Sequence, residues 1–229
     1  MNKIISDDWL SSILKKPAYS LKKFHTNLKQ KDLPKGKKFI WSKISVDNIT
    51  KLVCLKNLGF YVVDTNVNFI LSQNINTPKT SNLRFAKSSD EKQVRALAKN
   101  AFKQSRFYKD PKIPNKIASK IKEEWAGNFF LGKRGRWMVV VEENSKIVGF
   151  LQLLKKNNNT IVIDLIAVDK KNRRNGLAKK MISYAYRNCL KKNVKMEVGT
   201  QIANISSIHF YTKLNFHMYS ASYVLHMHK

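Results

Sequence analysis

The segment Ile163 to Met181, IDLIAVDKKNRRNGLAKKM, gathers residue types that could do chemistry together. An apolar run ends at Val168, a basic loop runs from Asp169 to Asn175, and Gly176 opens a helical pattern. A helix N-terminus presents unpaired N–H groups and the positive end of the helix dipole, so such a junction binds phosphate. Gly176 has no Cβ and lets an anion approach the backbone, and Ala178 beyond Leu177 is small for the same reason. Arg173, Arg174 and Lys179 add charge around Asn175. No Gly-Lys-Ser/Thr follows, which excludes a nucleotide P-loop, and a single glycine excludes the dinucleotide fingerprint. A solvated basic turn would look the same, so the segment alone assigns an anion site and no reaction.

The elements around this loop are legible from periodicity. Ile161 to Val168 reads as a strongly apolar strand, and alternation sets Asp164 on the same face as Ile166 and Val168. A helix from about Gly176 to Leu190 buries Leu177, Met181, Ile182, Ala185, Tyr186 and Cys189. Strands are expected at 83–86, 138–142, 147–154 and 194–198, helices after Ser88–Asp90 and around Ile117, Ile121 and Trp125, and a loop at 105–114. A short helix spans Asn204 to Leu214, and two strands close the chain. Further upstream, Phe39–Ile44 and Phe60–Leu71 read as strands, with a helix from Val46 to Leu58 that Gly59 stops. Residues 1–38 are Lys-rich and weakly patterned, and the polar stretch 72–81 around Pro78 is the expected linker. The chain therefore divides into a small N-terminal α/β domain, 1–78, and a larger domain, 79–229.

Composition bounds the function classes. With 229 residues and 43% hydrophobic content, the chain can bury a core, which excludes a wholly disordered or collagen-like protein. No apolar run approaches the roughly 20 residues that span a bilayer, and the first twenty residues lack the apolar stretch of a signal peptide. Two cysteines are too few for a disulfide framework or a Cys-based zinc site, so a cytoplasmic location with reduced thiols is expected. The net charge of +29 suits an anionic partner. Its lysines are spread along the chain among many Asn and Ile, so nucleic acid is the less favoured partner.

Arg173-Arg174-Asn175-Gly176-Leu177-Ala178 matches the R/Q-x-x-G-x-G/A signature of the GNAT superfamily of acetyl-CoA-dependent N-acetyltransferases, and the order of elements from Leu83 onward resembles that superfamily. Ile166-Ala167-Val168 looks like its splayed strand. Asn204 to Tyr211 resembles its later motif, in which an Asn meets the pantetheine arm and a Tyr sits seven residues on. Leu214-Asn215-Phe216 stands where the family often has x-Gly-Phe, and Asn also takes left-handed helix caps. The segments at 105–114, 123–128 and 199–211 resemble the branch of dTDP-fucosamine acetyltransferases and related sugar-nucleotide N-acetyltransferases. That branch carries a small N-terminal α/β domain, to whose end residues 55–71 are similar.

The resemblance implies an α/β (α+β) fold with a mixed, mostly antiparallel sheet flanked by helices. It implies acetyl-CoA as co-substrate, bound beside Ile166, Ala167 and Val168, with its pyrophosphate held by Arg173 to Lys179 and its pantetheine arm met by Asn204. A main-chain N–H at Ile166 or Ala167 would polarise the thioester carbonyl, and Tyr211 would protonate the leaving thiolate. Asp164 is the candidate base, with water as the alternative. Arg106 and Asp110 would contact a nucleotide-linked amino sugar, a small-molecule substrate of surface polysaccharide or lipopolysaccharide assembly. No metal is expected, since His209, His217, His226 and His228 show no ligand pattern. The resemblance hints at a homodimer. Two alternatives stay open: acetylation of a protein N-terminus or lysine, and a basic nucleic-acid-binding protein on the same scaffold.

Overall fold

Period-two alternation carries into strands and the 3.6-residue stripe into helices, and tertiary pairing then decides which strands become neighbours. The computed structural model describes residues 2–72, 82–189 and 194–229. The first part contains β1 (Lys3–Ser6), α1 (Asp8–Leu14), β2 (Ala18–Lys23), β3 (Phe39–Ser45), α2 (Ile49–Asn57) and β4 (Tyr61–Leu71). Then come β5 (Leu83–Phe85), α3 (Glu91–Ala101), α4 (Arg106–Lys109), α5 (Asn115–Phe130), β6 (Trp137–Glu143), β7 (Lys146–Asn157) and β8 (Thr160–Val168). The chain continues through α6 (Leu177–Cys189), β9 (Lys195–Gln201), α7 (Ile205–Lys213) and β10 (His217–His228).

These strands form one sheet in the order β1-β2-β3-β10-β4-β9-β8-β7-β6-β5. Its pairs are antiparallel except β2/β3 and β8/β9. One face is covered by α6 and α7, around Leu177, Met181, Ile182 and Tyr211, and further along by α2 through Leu55. On the other face α3 and α5 pack through Val94, Ala98 and Ala126, and α1 and α4 through Leu10, Ile13 and Phe107.

Several expectations change. Within the weakly patterned stretch 1–38, the described residues 2–38 hold two strands and a helix whose N-cap Asp7 accepts from Leu10 N at 3.2 Å. The expected loop at 105–114 contains α4. Instead of two C-terminal strands there is one, β10, because His217–His228 has no Gly, Pro or Asn to turn on, and irregularities in its pairing with β4 absorb the change of register. Residues 73–81 of the expected linker and Leu190 at the end of the third expected helix lie outside the described residues. Across the expected boundary at 78/79 the sheet is continuous, since β10 from the C-terminal part lies between β3 and β4. Asn215 has a φ of +61°, the left-handed cap its place after α7 suggests.

Candidate active site

The site begins where the sheet opens. β8 and β9 pair only over Thr160–Ile163 and Lys195–Val198. Beyond that, Leu165–Val168 stay paired to β7 and Gly199–Gln201 to β4, so the facing edges diverge. An extended ligand laid in this gap could pair with main-chain groups as an added strand does. At the mouth of the gap, Leu153 pairs with Ile163 and Gln152 with Leu165, which leaves Asp164 as the extra residue of a β-bulge.

The bulge corrects the expected orientation of Asp164. Ile163 packs with the cluster under α6 and α7, and after the bulge Ile166 and Val168 do the same, while Leu165 and Ala167 pack under α3. Asp164 does not share the face of Ile166 and Val168. It points with Gln152 toward α5, where it accepts from Arg134 Nε and Nη2 at 2.7 Å each, Trp125 Nε1 at 3.0 Å and Gln152 Nε2 at 2.9 Å. Three of those bonds reach Oδ2 and one reaches Oδ1, so both carboxylate oxygens are held by donors of the protein. Asp164 is therefore placed as an anchor for Arg134, whose guanidinium also lies 4.7 Å from the Trp125 ring. Trp125, Arg134 and Gln152 were missed in the sequence because nothing in their local pattern sets them apart from core or loop residues.

On the other side of the gap lies the basic loop. Lys170–Asn172 make one 3-10 turn capped by Asp169, and Arg173 Nε donates to Val168 O at 3.1 Å, tying the loop to the strand end. Arg174 and Gly176 both have positive φ, +68° and +70°. Residues 173–176 and Lys179 are exposed, Ala178 is half-buried, and Leu177 is buried in the core. A Cβ built on Gly176 would meet nothing within 4 Å. Packing does not demand the glycine; its conformation does, and the space before it is open to a ligand.

Tyr211 is 3% exposed, in the same cluster as Ile166 and Val168 and against the rings of Phe69, Phe210 and Phe216. Among the described residues its hydroxyl has no hydrogen-bond partner, and burial pushes its pKa above the ordinary phenol value. Asn204 caps α7, its Oδ1 accepting from Ser207 N at 3.4 Å and its Nδ2 donating to Thr200 Oγ1 at 3.3 Å. The structure thus puts Tyr211 in the same apolar cluster as the gap residues Ile166 and Val168 and seats Asn204 just after β9.

Arg106 and Asp110 take different roles. Asp110 is 1% exposed and accepts from His226 Nδ1 at 2.6 Å, His228 Nε2 at 2.7 Å, Tyr61 Oη at 2.7 Å and Lys112 N at 2.9 Å. Burial opposes its charge, yet these bonds hold its carboxyl well below the usual range. It is a buried anchor, with no oxygen left for the substrate contact expected of it. Asp110, His226 and His228 also group as metal ligands could, their ligand atoms within 4.8 Å of one another, a pattern not seen in the sequence. The outer ring nitrogens decide against that: His226 Nε2 is 3.3 Å from Arg106 Nη1, and His228 Nδ1 is 2.9 Å from Lys16 Nζ. Guanidinium and ammonium groups only donate, so each ring carries its proton on the side facing Asp110, where a metal would need a lone pair. The chain Asp110–His226–Arg106 instead fixes a guanidinium.

Residues 98–216, just over half the chain, match the model of the acetyltransferase (GNAT) family. The chain belongs to the GNAT acetyltransferase family. It is 27% identical over 157 residues to the spore coat polysaccharide biosynthesis protein SpsD of Bacillus subtilis (strain 168), covering 66% of this chain and 52% of that protein. The chain thus spans about half the length of this curated relative. Among solved structures, a GNAT-family putative acetyltransferase from Novosphingobium aromaticivorans DSM 12444 superposes with a TM-score of 0.58 at 13% identity, over 87% of this chain and 79% of that one. A conserved protein of unknown function from Staphylococcus epidermidis ATCC 12228 reaches 0.65 at 10% identity, over 93% and 84%. These likenesses show the fold: the sheet that splays between β8 and β9 is the GNAT sheet.

The GNAT fold implies acetyl-CoA as co-substrate, and the residues fit it. The open space at Gly176, the exposed cations of the loop and the start of the 13-residue helix α6 suit a pyrophosphate, and the divergent edges suit an extended chain of amides. Within the described residues no helix is long and apolar enough to cross a membrane.

Proposed function

We propose that this GNAT protein is an acetyl-CoA-dependent N-acetyltransferase that moves acetyl directly to the amine of a nucleotide-linked amino sugar, of the dTDP-4-amino-sugar type, in surface polysaccharide assembly. The observation that supports the reading is the opening between β8 and β9, with the basic loop at Gly176 on one side and Tyr211 in the apolar cluster to which Ile166 and Val168 belong. The sugar class is supported by the segments at 105–114 and 199–211 and by the polysaccharide role that SpsD's name states.

Bound acetyl-CoA supplies an activated thioester. Ile166 or Ala167 presents a main-chain N–H to the carbonyl oxygen, a donor of a kind worth roughly 3–4 kcal/mol. The substrate amine forms the new C–N bond as the C–S bond breaks, and the electron pair leaves with sulfur. Tyr211 gives that sulfur its hydroxyl proton and is reprotonated from solvent. Since the Asp164 oxygens are already bonded, the amine releases its own proton to water. Holding both reactants in one gap supplies several kcal/mol by proximity alone.

A thiol-release assay with acetyl-CoA against dTDP- and UDP-amino sugars and a set of peptides tests this. Turnover with a sugar nucleotide is expected. Turnover with peptides alone moves the protein to the protein-acetylating class, and salt-sensitive nucleic-acid binding without thiol release moves it out of the enzymes.

A further inference from the structure

The α5 face of the sheet carries a second group of cations, far from the phosphate loop in sequence. Arg106 of α4 has its guanidinium carbon 4.3 Å from the Trp41 ring centroid and 4.5 Å from that of Phe107, and its Nη1 meets His226 Nε2, which the buried Asp110 backs. Lys43 sits two residues after Trp41 on β3, on the same face by alternation. Lys122 of α5 lies over Trp125 at 4.4 Å and Phe102 at 5.1 Å. Lys43 is exposed, while Arg106 and Lys122 are half-buried, so all three keep solvent contact. Among the described residues none of them has a carboxylate within 4 Å. Of the acids that face the group, Asp164 is held by Arg134, Asp7 by Trp41 Nε1 at 3.2 Å and Leu10 N, and Asp110 by His226, His228 and Tyr61, whereas Asp64 accepts from Thr65 N at 2.9 Å and lies 3.8 Å from Lys109 with its buried Oδ2 unpartnered among the described residues.

From this we infer that the surface where β3, α4 and α5 meet is the anion subsite of the acceptor, where Arg106, Lys43 and Lys122 hold its phosphate groups. Arg106 is the built part. Stacking and the His226 bond fix the plane of its fork, so little freedom is lost on binding a phosphate. Cations from three elements, none with a carboxylate within 4 Å among the described residues, repel one another until an anion enters, and a diphosphate carries charge enough for all three. The electrostatics agree. Burial, then Arg106 and Lys22, push the Lys43 ammonium down to about 8, with Asp64 opposing. Burial pushes Lys122 down to about 8 as well; Asp164 opposes, and Arg106, Arg134 and Lys43 add to the fall. The chain then has two separate phosphate sites, one for each diphosphate of a reaction between acetyl-CoA and a sugar nucleotide. The inference rests on the acceptor class proposed above.

The test is calorimetric titration of inorganic pyrophosphate at pH 8, with coenzyme A saturating the loop at Gly176, in two buffers of different ionisation enthalpy. Protons are expected to be taken up, because an anion between half-protonated Lys43 and Lys122 raises their proton affinity. Lys43→Met and Lys122→Met, which keep the apolar stems, should each weaken pyrophosphate roughly tenfold and diminish the uptake. The same variants should raise KM for the sugar nucleotide by a similar factor at unchanged kcat. Binding without proton uptake, or equal affinity in both variants, overturns the subsite. Turnover of a sugar nucleotide with unchanged KM in both variants overturns it while the proposed function stands. Pyrophosphate binding that depends on both lysines, in a protein that acetylates no sugar nucleotide, overturns the acceptor class and leaves the anion site.

Discussion

Replacing Asp164 by Asn separates an anchoring role from a catalytic one. Oδ2 accepts three bonds, from Arg134 Nε, Trp125 Nε1 and Gln152 Nε2, whereas Oδ1 accepts one, from Arg134 Nη2. The amide keeps most bonds by placing its oxygen at the Oδ2 position. Its NH2 then faces Arg134 Nη2, donor against donor, and the charge that balanced Arg134 is gone. Breaking a buried ion pair typically costs 3–5 kcal/mol. The Arg134 side chain is 37% exposed and keeps part of its hydration, which lowers the expected cost to about 2–3 kcal/mol. For a chain of this size that is a fall in Tm of about 5–10 °C. Thermal unfolding at pH 7 reads this directly, and the pH dependence of kcat is measured alongside. The anchor predicts a large Tm shift and a moderate loss of rate with the pH profile unchanged in shape. Removal of a general base predicts a loss of about 10²- to 10⁴-fold and disappearance of the acid limb. An unshifted Tm together with a lost acid limb would refute the anchor.

Tyr211→Phe should lower kcat by about 10²- to 10⁴-fold, leaving Tm and acetyl-CoA affinity unchanged, because the hydroxyl bonds to no described residue; unaltered turnover removes Tyr211 as proton donor. Since burial raises its pKa above the phenol value of about 10, no alkaline decline below about pH 10 should trace to this group, as comparison of the two pH–rate profiles will show. Gly176→Ala forces a side chain to φ +70°, costing about 1–2 kcal/mol of stability, and should also weaken acetyl-CoA; Gly36→Ala, at φ +75° in equally open space, should share the first effect without the second. Burial, opposed by Asp110, lowers His226 to about 4, so between the unfolded value near 6.5 and about 4 the folded state binds fewer protons. Stability should therefore fall by about 3 kcal/mol as pH drops through that window, as urea unfolding at pH 7 and 4.5 will measure, and a His226→Asn protein with the same slope would disprove the linkage.

Local signals reached part of this site. The strand ending at Val168, the glycine that opens α6 and the Asn204–Tyr211 spacing are sequence patterns, because each depends on residues within one or two elements. Asp164 shows where such reading stops. Its burial still alternates with its neighbours, but a bulge is set by the register against β7, and no residue of β8 announces it. The network around Asp110 joins Tyr61, Asp110, His226 and His228, three widely separated parts of the chain. The same holds for Lys43, Arg106 and Lys122, which in sequence are lost among the many other lysines and arginines. The pairing of β3, β4 and β10, and the packing of α4 and α5 on that sheet, bring these elements together.

The position of β10 has a consequence during synthesis. This strand stitches β3 to β4, so a nascent chain lacking residues 217–228 holds two unjoined sheet fragments with bare edges. His226 reaches Arg106 only when β10 slots between partners made long before it on the ribosome. Closure over so long a sequence separation is slow, and until it happens the exposed edges are open to chaperones and to aggregation.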